Sequence, residues 1–156
     1  QENCNRSQRS IMIRILAVLL LLSTPAFAQD WSTPARGSKD RADMMDAIRP
    51  HVEFLLGAPV EFVIDELRVA GKYGFARVNP QRPGGKQINL AQTPFGERAG
   101  YENAELDGTH VEAILVKEGS TWVAVQWQIG ATDVWWSWQP YCEDYYPVLA
   151  DACEGQ

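Results

Sequence analysis

One amphipathic stripe followed by two hairpin signatures sets the architecture open to this chain. Met44, Ile48, Val52 and Leu55 recur at helical spacing, with Met45 and Leu56 beside them. One face of such a helix is apolar and needs a partner surface. Ser38 stands where an N-cap belongs, and Asp40 and Asp43 lie near the positive end of the dipole. Gly57 and Pro59 stop the pattern in the usual C-terminal order. Pro50 falls inside it and removes an internal donor, which predicts a kink near Arg49.

Beyond this helix the apolar period changes from 3.6 to 2. Val60, Phe62 and Ile64 alternate with Glu61 and Asp65, and the parity then moves to Leu67 and Val69. That shift predicts a bulge near Asp65-Glu66. Ala70-Gly71-Lys72 turns the chain and 73–78 returns as a second strand. A second hairpin joins 110–117, with Val111, Ala113 and Leu115 on one face, to 122–129 through Glu118-Gly119-Ser120. In its last strand Val123, Val125, Trp127 and Ile129 are expected to share a face. Gly130-Ala131-Thr132 ends it, Asp133 is placed to cap a short aromatic turn, and 147–153 predicts one or two further helical turns.

Between the hairpins, 79–109 carries Pro80, Pro83 and Pro94 together with five glycines. A connection of that length is more often functional than filler, and Gln87-Ile88-Asn89-Leu90 is expected as a short edge strand. The fold class that follows is α+β. One N-terminal helix lies across a curved antiparallel sheet of about four strands, in two layers.

The N-terminus speaks to compartment. Met12 and Arg14 open a short basic start, an apolar run spans 15–22, and Ser23-Thr24-Pro25 breaks it. Ala26-Phe27-Ala28 then places small residues at the −3 and −1 positions of a signal-peptidase site. The apolar run is too short for a stable membrane span, which needs ~20 residues. Residues 1–28 thus read as an upstream extension plus a cleavable signal peptide. Residues 29–37 read as a flexible lead-in, and 38–156 as a single α+β domain of a periplasmic or secreted protein.

Clipping at Ala28 removes three of the 14 Lys and Arg and one of the 20 Asp and Glu, leaving a net charge of about −8. Such a surface repels phosphate backbones and anionic lipid, so nucleic acid is not an expected partner. Cys142 and Cys153 remain as an even pair, and in an oxidising compartment they form a disulfide. Both histidines lie far from them in sequence, so the cysteines have no metal-ligand spacing, and no metal or cofactor is expected.

The chain has no nucleophile elbow, no histidine pair at helical spacing, no Cys-x-x-Cys and no dinucleotide glycine signature. Arg82-Pro83-Gly84-Gly85-Lys86 lacks the rest of a phosphate loop and reads as a turn. His51 and His110 are the candidates for a general base, because imidazole titrates near neutrality. Either needs an acid such as Asp133 to converge with it. Arg49, Arg77 and Arg82 read as isolated arginines on solvated faces or in ion pairs.

The strongest local anomaly is aromatic. Trp135, Trp136, Trp138, Tyr141, Tyr145 and Tyr146 fall within twelve positions, just after Trp122 and Trp127. Flat rings suit sugars and protein hot spots; their other use is to seal the open end of the sheet. Trp135 and Trp136 are consecutive and cannot both face inward on a strand. The candidate binding residues are Trp135, Trp136, Trp138 and Tyr141.

The order Gly37-Ser38, Arg41, Ala47-Ile48-Arg49, Val60-Glu61-Phe62-Val63 and Gly130-Ala131-Thr132-Asp133-Val134-Trp135 resembles a family of small uncharacterised exported proteins of Gram-negative bacteria. Helix followed by four strands is also similar in topology to cystatin-like and NTF2-like domains, which host inhibitors, binding modules and some enzymes. The functional expectation is an exported, non-enzymatic binding or interaction domain. It makes contact through the 79–109 loop and the C-terminal aromatic cluster, with a periplasmic protein or a cell-wall glycan as partner. The alternative is a small hydrolase or isomerase with a His/carboxylate pocket between helix and sheet.

Overall fold

The structure, a computed structural model, describes residues 31–99 and 106–154. The signal-peptide reading lies outside the described residues. Helix α1 (Lys39–Leu56) starts at Ser38, whose hydroxyl accepts from the Arg41 N–H at 3.3 Å. It continues through Pro50, which sits on its exposed side, and ends at Gly57, whose N–H reaches Glu53 O at 2.8 Å. The carbonyls left over there are met by Arg82, which donates to Leu56 O at 2.6 Å, to Pro59 O at 3.1 Å and to Gly57 O. A helix end without such partners is costly.

Four strands follow as an antiparallel meander in the order β1-β2-β3-β4. They are β1 (Glu61–Ala70), β2 (Tyr73–Gln81), β3 (Val111–Glu118) and β4 (Thr121–Ile129). Each hairpin turns on two residues, Gly71-Lys72 and Gly119-Ser120. The glycines take φ of 58° and 61°, and among the described residues no non-glycine has positive φ. That is the II′ pattern, whose twist suits antiparallel strands.

The bulge expected near Asp65 is present: Ile64 pairs with Val78 and Glu66 with Arg77, so Asp65 is the extra residue. It lets Phe62, Ile64, Leu67 and Val69 all pack toward α1. A second bulge was not expected. Ile114 pairs with Gln126 and Leu115 with Ala124, which leaves Val125 over. Trp122 and Ala124 therefore join Trp127 and Ile129 beneath the helix, while Val123 and Val125 are exposed. The shared face assigned to Val123 and Val125 is thereby corrected. Every residue from Trp122 to Val125 is apolar, so alternation alone cannot set the parity.

The helix stripe and one sheet face form the main core. Met44, Ile48, Val52 and Leu56 meet Leu67, Ala76, Val78, Val111, Ala113 and Leu115. The α+β class with an N-terminal helix on a four-strand antiparallel sheet is what the chain adopts. The second sheet face is also covered, so the two-layer picture gains a third, smaller layer. There α3 (Gln139–Cys153) lays Val148 and Leu149 on Phe75 and Ile114, with Trp136 beside them. The lead-in belongs to this layer too: Ser32 and Val69 exchange hydrogen bonds of 2.9 and 2.8 Å, and Trp31 packs on the same cluster.

Residues 87–90 do not make an edge strand. Asn89 accepts from Ala91 N–H and starts a 3₁₀ turn, Leu90–Gln92, which leads into the short helix α2 (Pro94–Ala99). A side-chain oxygen that bonds the backbone two residues on favours a turn over a ladder.

Cys142 and Cys153 form the expected disulfide, with Cα atoms 5.7 Å apart. Eleven residues along an unbroken helix would separate them by about 16 Å. The chain closes that gap because α3 breaks at Tyr145, just before Pro147. Replacing both cysteines by serine is expected to lower stability by about 2–3 kcal/mol, the loop-closure value for so short a ring. Urea unfolding of oxidised and variant protein measures it; identical midpoints would mean the bond adds nothing.

Candidate ligand-binding site

The aromatic segment divides its rings by spacing. Trp135–Ser137 is a 3₁₀ turn that runs through Trp138 directly into α3, with Pro140 in the first helical turn, where its missing N–H costs nothing. Trp138 N–H bonds Trp135 O at 3.2 Å, and Tyr141 N–H bonds Trp138 O at 2.9 Å. Steps of three residues in such a backbone keep side chains on one side, so Trp135, Trp138 and Tyr141 line one cleft. Its other walls are Gln128 of β4, Asp133, Val134 and Ser137, and its volume is about 440 Å³. Trp136 goes the other way.

The ring geometry is edge to face. Trp135 and Tyr141 lie 5.6 Å apart at 88°, and Trp138 and Tyr141 5.3 Å apart at 80°. Tyr141 is further held by its hydroxyl, 3.3 Å from Gln126 Oε1 on β4, and by the disulfide at the adjacent Cys142. Trp138 stays 60% exposed, which leaves much of its ring free for a ligand. The indole N–H of Trp135 is buried with no hydrogen-bond partner among the described residues.

Trp136 is 8% exposed, and its ring lies 5.6 Å from Phe75, under the guanidinium of Arg77 at 5.1 Å. Its assignment as a contact residue is corrected: it belongs to the core on the α3 side. Asp133 does not cap the aromatic turn, whose N-cap is Val134 with no side-chain bond. It stands on the cleft wall instead. Sequence reasoning missed Gln128 as a wall residue. The three-residue spacing of Trp135, Trp138 and Tyr141 was the signal that would have separated them from Trp136.

The two histidines do not converge. His51 stacks on Trp127 beneath α1, ring centroids 4.8 Å apart. His110 lies on the opposite sheet face, with Nε2 3.2 Å from Ala131 O and 3.8 Å from Glu112 Oε1. Nor do the arginines gather. Arg49 bonds Val60 O, Arg82 closes α1, and Arg77 lies between Glu66 and Glu112 at 3.8 and 3.6 Å. A second cleft, lined by Asn79, Pro80, Gln87, Ile88, Asn89 and Thr109, occupies the long connection.

The sequence reading also passed over Glu112. This carboxylate is 3% exposed, and its Oε2 has no hydrogen-bond partner among the described residues. Burial raises its pKa, against the opposing charges of His110 and Arg77. The folded state therefore holds this proton more tightly than the unfolded chain does. Its contribution is fully present below the ordinary glutamate value of 4.5 and is lost as pH rises through the higher folded value. Glu112→Gln cannot titrate, so the variant is expected to gain stability relative to wild type as pH climbs from about 4.5. Urea midpoints of both proteins between pH 4 and 8 test this; a constant difference would refute it.

Family models, curated proteins and solved structures were all compared with the chain. It matches none of them. Among the described residues no helix is long and apolar enough to cross a membrane. The chemistry available at the cleft is therefore read from its own side chains: three aromatic rings, an amide, two hydroxyls and one carboxylate.

Proposed function

We propose that this chain is an exported binding module that engages its ligand in the cleft of Trp135, Trp138 and Tyr141. The observation that carries the reading is the convergence of three rings on one open cleft, one of them mostly exposed and all set on a disulfide-pinned turn. Large rigid rings give contact area at low entropic cost, and a cleft held in advance spares the ligand the cost of ordering it. Export is supported by the signal-like leader, by the cysteine pair and by the resemblance to exported proteins. A cell-wall glycan, a periplasmic protein or a small soluble molecule fits a contact surface of this kind.

Chemical-shift titration of isotope-labelled protein with soluble cell-wall fragments and small metabolites tests the reading. The shifts should gather at Trp135, Trp138, Tyr141 and Gln128, and Trp138→Ala should weaken binding roughly tenfold while the thermal midpoint holds. Shifts confined to the 79–90 cleft, or unchanged binding by Trp138→Ala, would overturn it.

A further inference from the structure

The geometry points to a small organic cation, a quaternary ammonium group on a soluble molecule, as the ligand of the aromatic cleft. This inference rests on the binding reading above and adds the chemical class. Its first support is the charge of the segment that builds the site. Beyond Lys117 the sequence holds no Lys, Arg or His, while Glu118, Asp133, Glu143, Asp144, Asp151 and Glu154 are all acidic. Asp133 is on the cleft wall, exposed, and forms no ion pair among the described residues. Glu143 sits in the first turns of α3, two residues beyond Tyr141, and is not on the cleft wall. Among the described residues Glu143 accepts a hydrogen bond from the neutral Gln139, at 2.9 Å, and forms no ion pair. Two guanidiniums touch the segment, neither of them on the cleft wall: Arg68 pairs with Asp151 and donates to Val148 O, and Arg77 faces Trp136 and is shared between Glu66 and Glu112.

The second support is the rings themselves. Two indoles and a phenol line the cleft, and a cation over the face of such a ring is attracted by the ring quadrupole, most strongly over Trp. Quaternary ammonium groups carry no N–H to donate, so they shed water at lower cost than a primary ammonium and match a wall made of rings. An anion would meet Asp133 with nothing to offset it. A neutral sugar would use the ring faces and leave the acidic field unspent.

Choline is the probe, set against 3,3-dimethyl-1-butanol, its uncharged counterpart of the same shape, and against N-acetylglucosamine. Indole fluorescence and chemical shifts of the oxidised chain are the readouts. Choline should bind at least tenfold more tightly than the uncharged counterpart, and Trp138→Ala should weaken it roughly tenfold at unchanged thermal midpoint. Asp133→Asn should weaken it about threefold in low salt, with the difference shrinking in high salt. Equal responses to choline and its uncharged counterpart, or a response to the sugar alone, would leave the binding module standing and overturn the cation. Silence from choline overturns the cation as well, and the cell-wall titration then decides the module separately. Capture by phosphatidylcholine vesicles without a response to choline would make the source a lipid headgroup and overturn a soluble ligand.

Discussion

Trp136→Ala is expected to lower the folding stability by about 3–5 kcal/mol, the usual cost of removing a buried indole. Trp138→Ala should leave it within about 0.5 kcal/mol, as surface changes do. The two residues are separated by one position and differ only in where the turn sends them. Trp136 is 8% exposed, against Phe75 and the α3 cluster, and its loss opens a void between sheet and helix. Its ring also covers Arg77 at 5.1 Å, so the variant uncovers the polar pair below. Trp138 meets Tyr141 edge to face at the cleft and is 60% exposed. Thermal and urea unfolding of both variants measures the contrast. Equal losses would make the whole aromatic segment core and remove the basis for a contact surface. A harmless Trp136→Ala would mean the third layer is not packed as described.

That contrast also marks how far the sequence is legible. The Ser38 cap, the stripe from Met44 to Leu56, the place of both glycine turns and the bulge near Asp65 were readable. Each has a local cause: a side-chain acceptor, a helical period, a glycine, or a parity shift between polar and apolar positions. The bulge at Val125 was hidden, because a run apolar at every position offers no parity to break. The third layer was hidden for another reason. Helix α3 is interrupted at Tyr145, and its buried aliphatics are only Val148 and Leu149, too few to show a period. The pairing of Ser32 with Val69 and the burial of Glu112 are set by tertiary contacts, which no local pattern announces. At the site, composition identified the aromatic segment. Only the backbone path through Trp138 decided which rings line the cleft.

The docking of α3 leads to the second large effect: Arg68→Ala is expected to cost about 3 kcal/mol or more and to release the C-terminal helix. Arg68 lies on β1, 6% exposed, with its guanidinium between the rings of Trp31 and Phe75 at 4.8 and 5.4 Å. It donates to Glu66 at 2.7 Å, to the buried carbonyl of Val148 at 2.9 Å, and by both terminal nitrogens to Asp151, 2.7 Å for the longer bond. One side chain thus ties the lead-in, the sheet and α3 together. Removing one partner of a buried pair costs about 3–5 kcal/mol. Asp151 is largely exposed, so solvent screens its share and the lower figure applies. The rest comes from the Val148 carbonyl left without its donor and from the lost stacking. Arg68→Lys keeps the charge but not the planar fork, so it should recover only part of the loss. The carboxyl of Asp151 is held below its ordinary 3.8, first by the hydrogen bonds from Arg68. That stability is present above pH 3.8 and lost as pH falls through the lower folded value. Asp151→Asn should therefore flatten the acid limb of the unfolding profile. Limited proteolysis gives the structural readout: cleavage of Arg68→Ala within 139–153 under native conditions, with wild type resistant. A variant that melts like wild type and resists the protease would show that α3 is held by its apolar contacts and its disulfide alone.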